Sequence, residues 1–216
     1  MSIPVLHIGD RNYSSWSLRP WLALKHGGVA FQEVLHELPE MGGGPPAFGA
    51  ISPTGRVPAL DLGGGVVIVE SLAICEWAAD VAPVLWPAVA TLRAQARSLA
   101  AIMHAGFAAL RNEAPMNIRR RTDASRMTAA GLADAARMDA LWCAALQKSG
   151  GPWLFGQWSI ADAMYAPAVT RFVTYAIPRS ADADAYISAT CAEPYMAAWI
   201  EAAHAETRAL PRSDVA

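Results

Sequence analysis

The feature that most constrains this chain is an abrupt change of pattern near residue 85. Before it, short apolar runs alternate with turn signals. After it, alanine-rich helical sequence dominates, with glycine and proline reduced to boundary marks. In the first part, Ile3 to Ile8, Phe31 to Leu35, Val57 to Leu62 and Val66 to Val69 read as strands. Leu18 to His26, ended by Gly27-Gly28, and Ser71 to Asp80, followed by Pro83, read as helices. The order is β-α-β, a loop, then β-β-α. A helical crossover between the first two strands implies a parallel pair. The run Gly63-Gly64-Gly65 between the last two implies a hairpin.

A mixed four-stranded sheet with helices on its faces is the expected result, which is the thioredoxin architecture. It is expected over residues 1–82, with Pro83 to Pro87 as linker and an all-helical domain over 88–216. Helices are expected near 89–113, 127–149, 160–176 and 193–206, with a shorter turn near 183–190 and a kink at Pro167.

Composition narrows the partners. Apolar residues make up 54% of the 216 and charged residues 17%, with mean hydropathy +0.22. That richness leans towards an interface with an identical subunit. A net charge of −2 argues against nucleic acid. The most apolar stretch, Ser71 to Leu92, holds Glu76, Asp80 and two prolines, so no membrane span is expected. The opening MSIPVLHIGDRN has no basic start before an apolar run, and Cys75, Cys143 and Cys191 form no C-x-x-C pair, so the chain reads as cytoplasmic. His7, His26, His36, His104 and His204 lack ligand spacing, so no metal is expected.

Two segments carry chemistry. In Asn12-Tyr13-Ser14-Ser15-Trp16-Ser17-Leu18-Arg19-Pro20, the proline confines the helix start, placing the N-cap near Trp16 or Ser17, with Ser17 the natural cap by type. Ser14 and Ser15 then precede a helix N-terminus, where an anion is favoured. A thiolate fits. A free thiol of pKa about 8.5 is only about 3% ionised at pH 7, and lowering it by roughly two units takes about 2.7 kcal/mol. One charge-assisted hydrogen bond of roughly 1.5–3 kcal/mol, with the helix end, suffices. A polar turn with a cap is the plainer reading of the same serines.

The second segment is Ser52-Pro53-Thr54-Gly55-Arg56-Val57-Pro58, leading into the third strand. A cis bond at Pro58 would turn the Val57 backbone outward to pair with a peptide-like ligand, although base rates favour trans. Glu70-Ser71 opens the next helix, with Ser71 a good N-cap beside amides that bind a carboxylate and Glu70 suited to an ammonium group. Together they match an amino-acid head group.

These pieces in this order resemble the cytosolic glutathione S-transferases. SSWSLRPWLAL is similar to the SSCSWRVRIAL signature of the zeta class, and GRVPALDLGGGVVIVESLAICEW resembles the family's K-V-P, strand and E-S-x-A-I run. The resemblance implies glutathione as co-substrate, Ser14 and then Ser15 as thiol activators, Val57-Pro58 (cis) pairing with the cysteinyl backbone, and Glu70 and Ser71 holding the γ-glutamyl end. Arg56 falls at the glycyl side. It also implies detoxification of a small electrophile near Met103, Phe107, Arg111, Met116 and Asn117. The cluster Arg119-Arg120-Arg121 is by residue type a solvated charged surface, and one able to attract an acidic substrate. Trp16 and Trp21 replace the zeta class's cysteine and second arginine, which argues against maleylacetoacetate isomerisation. NYSSWSLRPWL looks more like a separate bacterial group. Ser159 and Asp162 match the family's structural capping box. Alternatives are a glutathione-dependent isomerase or peroxidase, or a non-catalytic binding protein.

Overall fold

A computed structural model describes residues 3–40, 44, 45 and 47–214. The sheet runs β2-β1-β3-β4, from β1 (Val5–Gly9), β2 (Gln32–His36), β3 (Ala59–Asp61) and β4 (Val67–Val69). β1 pairs parallel with β2, Val5 opposite Gln32, and antiparallel with β3, Leu6 opposite Leu60. β3 and β4 form the hairpin, Leu60 opposite Ile68. Its turn needs residues at positive φ, and Gly63, Gly64 and Gly65 all adopt it. Alternation along β1 sends Leu6 and Ile8 into the core, where each is fully buried.

α1 (Ser15–His26) and α2 (Ser71–Val81) complete the α/β domain. The helical domain follows: α3 (Ala90–Ala105), α4 (Ala108–Glu113), α5 (Ala129–Ser149), α6 (Ile160–Thr174), α7 (Ala181–Ala192), α8 (Pro194–Ala205) and a short α9 (Pro211–Asp214). Among the described residues no helix is long and apolar enough to cross a membrane.

Three expectations need correction. α1 begins at Ser15, with Ser14 as N-cap making no side-chain cap bond, so Ser17 is not the cap but a buried residue of the first turn. Pro20 is accommodated inside the helix. Ser71 is not the cap of α2 either: Glu70 holds that place at φ 73. The helix expected over 89–113 is two helices, because the chain leaves α3 at Gly106 and Phe107 turns left-handed, φ 61, to bury its ring. Asp134 of α5 then caps α4, its carboxylate accepting the amides of Ala109 (3.1 Å) and Leu110 (3.3 Å). A cap supplied from another helix cannot be read locally.

α6 is the axis of the molecule. Every one of its residues but Val173 is buried, and it packs against α1 on one side and α3 and α7 on the others. Its start is fixed by the expected capping box, with Ser159 accepting the Ala161 amide and Asp162 accepting the Ser159 amide at 2.9 Å. Trp142 meets Tyr165, Phe172 and Tyr186 at ring distances of 5.8, 5.0 and 5.2 Å in the core beside it. Each such side chain contributes on the order of 1.5–3 kcal/mol by leaving water.

Candidate active site

The loop from β1 to α1 is held from both ends of the chain. The Asp10 carbonyl accepts the amides of Tyr13 (3.1 Å) and Ser14 (2.8 Å). Beyond α8, the Glu206 carboxylate accepts the amides of Arg11 (2.7 Å) and Asn12 (3.0 Å), and Arg208 pairs with Asp10 at 2.8 Å. Tyr13 donates to Asp214, and Asn117 bridges Asn12 and Asp214. Asn117, expected near the electrophile, is buried in this bracing network.

The braced loop faces a cavity of about 480 Å³ between the two domains. Ser14, Ser15 and Trp16 form one side, Arg56 and Val57 another, and Arg111, Met116 and Arg171 a third. A neighbouring cavity of about 260 Å³ is lined by Arg56, Val57, Pro58, Glu70, Ser71 and His104, again with Trp16. Trp16, Arg56 and Val57 thus belong to both, and the two hollows adjoin. The Val57-Pro58 bond is cis, as the resemblance implied and against the base-rate expectation.

The hydroxyls differ in their surroundings. Ser14 is 5% exposed, and its Oγ lies 2.7 Å from that of Ser17. Ser15 is half-buried. The Ser71 hydroxyl is buried with no hydrogen-bond partner among the described residues, at the wall of the second cavity. An orphaned buried donor of this kind costs roughly 1–3 kcal/mol unless a ligand satisfies it.

Cations gather on the other side. Arg19 and Arg111 lie 4.3 and 4.5 Å from the Trp16 ring centre. Burial, with the nearby charges of Arg171 and Arg111, pushes Arg19 down to about 9. Burial likewise brings Arg171 down to about 10 and lowers Arg111, and all three are cations at neutral pH. Burial and the Arg19 charge lower His104, favouring its neutral form.

The structure therefore gathers Ser14, Ser15, Arg56, Val57, Arg111 and Met116 at the first cavity and Pro58, Glu70 and Ser71 at the second. Met103 and Phe107 line neither; they are 0% and 1% exposed in the core. Arg119 and Arg120 bond the carbonyls of Glu206 and Asp214, Arg121 is exposed, and none of the three lines the cavity. Trp16, His104 and Arg171 are lining residues that the sequence reading did not select. For Arg171 a signal existed: it is the single charged residue in the otherwise uncharged run Ala163 to Val173.

Residues 13–81 match the family model of the glutathione S-transferase N-terminal domain. That match covers the first domain, about a third of the chain, and ties that domain to the family. A maleylacetoacetate isomerase of Pseudomonas aeruginosa is 34% identical over 114 residues, covering 51% of this chain and 53% of that one, so the match spans about half the length of that relative. Among solved structures, a Burkholderia glutathione transferase homolog with bound glutathione superposes with TM-score 0.69 at 23% identity, covering 95% of this chain and 100% of that one. A theta class glutathione S-transferase of Xanthomonas axonopodis pv. citri, with glutathione bound, gives 0.68 at 24%, covering 97% and 100%. At these identities the superpositions establish the shared two-domain fold.

Proposed function

We propose that this chain is a glutathione transferase. The observation that carries the reading is the adjacency of the two cavities: Glu70 and the Ser71 hydroxyl, unpartnered among the described residues, line one, Ser14 and Ser15 the other, and Val57 belongs to both. Glutathione laid along this path meets Glu70 with its ammonium group and Ser71 with its γ-glutamyl carboxylate. Val57 meets its cysteinyl backbone, and Arg56 stands at the glycyl side. Its sulfur then reaches the serines at the helix N-terminus. Ser14, or in second place Ser15, donates a hydrogen bond that favours the thiolate. The thiol proton leaves to solvent and the thiolate attacks the electrophile in the first cavity; a C–S bond forms, and a leaving group such as chloride departs with its electron pair. Proximity and thiolate stabilisation supply the acceleration.

The test is conjugation of glutathione to chlorodinitrobenzene by the intact chain and by Ser14→Ala. The reading expects turnover, with kcat/KM falling roughly 10- to 150-fold in the variant. Glutathione binding without turnover would identify a binding protein instead. The isomerase named among the relatives supports a second reading, glutathione-dependent cis-trans isomerisation; turnover of a cis-diene acid exceeding chlorodinitrobenzene conjugation would favour it. A cytoplasmic homodimer with a detoxifying role, and domains at 1–82 and 88–216, complete the proposal. The composition, 54% apolar, supports the dimer, which light scattering would test.

A further inference from the structure

The cavity facing Ser14 and Ser15 is walled by cations. Arg111 and Arg171 line it with Arg56, and no aspartate or glutamate is among its described lining residues. Arg171 is 4% exposed. Its Nε donates to the Ala114 carbonyl at 2.8 Å and its Nη1 to that of Pro167 at 3.0 Å. Arg111 donates through Nη1 to the carbonyls of His104 (3.2 Å) and Gly106 (3.3 Å). Carbonyl oxygens fix where a guanidinium sits without cancelling its charge. Among the described residues neither arginine has a carboxylate within ion-pair distance.

Behind Trp16 stands a fourth cation. Arg19 is 1% exposed, and its Nε and Nη1 have no hydrogen-bond partner among the described residues. Buried charges are ordinarily paired, because desolvation without a counter-charge is costly. Here like charges are packed beside one another instead. The thiolate of glutathione supplies one negative charge at the serines. A second anion, on the far wall, would answer the remaining positive potential.

We infer that Arg111 and Arg171 form a carboxylate subsite, so that the second substrate of this chain is an organic acid. The inference rests on the transferase reading and names its substrate class. Guanidinium groups match carboxylates in plane and bond them through paired N–H donors. The subsite would hold the acid end while the electrophilic carbon faces the sulfur.

The experiment compares 4-fluoro-3-nitrobenzoate with its neutral isostere 4-fluoro-3-nitrobenzamide, each rate divided by its uncatalysed rate with glutathione. Tenfold or greater preference for the acid is expected, collapsing to within threefold of unity in Arg171→Met and in the half-buried Arg111→Met, which guards against a folding failure of the first variant. Calorimetry with 3-nitrobenzoate and 3-nitrobenzamide on protein saturated with S-methylglutathione reads the same preference without chemistry. Equal treatment of acid and amide, in rate and in binding, overturns the subsite while leaving the transferase reading intact. Preferential binding of the acid with no conjugation of either compound upholds the subsite and removes the transferase reading.

Discussion

The Ser14 and Ser17 hydroxyl oxygens lie 2.7 Å apart, and the Ser17 oxygen also accepts the backbone amide of Gly9 at 3.1 Å. A hydroxyl has one proton to give. If Ser14 gives its proton to a sulfur, the bond between the serines must be donated by Ser17. With the Gly9 amide already occupying one acceptor position of Ser17, that polarity completes a chain from β1 through α1 to the ligand, in which each bond polarises the next.

Ser17→Ala should therefore raise the pKa of bound glutathione's thiol by about half a unit, against one to two units for Ser14→Ala. Ultraviolet titration of the thiolate in the complex measures both. Ser17→Thr, which keeps the hydroxyl, should restore the wild-type value. A Ser17→Ala protein that melts earlier yet titrates like the parent would reduce Ser17 to a structural residue.

Glu206 is expected to control the β1–α1 loop from a distance of 194 residues in sequence. Its carboxylate holds the amides of Arg11 and Asn12, immediately before Ser14. Glu206→Ala should accelerate hydrogen exchange at residues 11–14 and lower kcat/KM by roughly tenfold, since misplaced catalytic groups forfeit proximity. Unchanged exchange in this loop would show that Trp199, which donates to the Arg11 carbonyl at 3.0 Å, is sufficient by itself.

The capping box on α6 is expected to govern stability rather than chemistry. Ser159→Ala should cost about 1–2 kcal/mol in urea unfolding, and glutathione affinity should stay within twofold. An affinity loss without a stability loss would contradict the structural assignment.

Acid should weaken the α/β domain through a histidine pair. His7 Nδ1 and His36 Nε2 are 2.9 Å apart, and both rings are shifted below 6.5, chiefly by burial and, for His7, next by the His36 charge. Below pH 6.5 the unfolded chain takes up protons that the folded one resists, so this contribution to stability is complete above that value and declines as pH falls through the lowered folded values. Asp162 works in the opposite sense, burial having raised its carboxyl to about 6. The comparison that isolates the histidines is the drop in unfolding midpoint from pH 7.5 to 5.5, which should be smaller in His7→Gln/His36→Gln than in the parent. An equal drop would dismiss the pair.

Much of the candidate site's grouping was legible. Serines before a proline-limited helix, Val-Pro before a strand and Glu-Ser after one are local patterns, and the structure gathers these residues at two adjoining cavities. The errors arose where distant groups intervene. Residue type named Ser17 and Ser71 as caps, but in the fold one bonds a neighbouring serine and a strand amide while the other has no partner among the described residues. Methionine and phenylalanine at helical spacing serve core and cavity equally well, which is why Met103 and Phe107 could not be told from Met116.

By itself the sequence determined the parallel pairing of the first two strands, the hairpin of the last two, the positions of most helices and the capping box, because period, glycine turns and caps act over a few residues. Only the tertiary structure decided the break between α3 and α4, the bracing of the Asp10–Tyr13 loop by the C-terminal segment, and the approach of Arg19 and Arg111 to Trp16. Those outcomes depend on contacts between residues far apart in the chain, and electrostatic interaction depends on distance in space, not on distance in sequence.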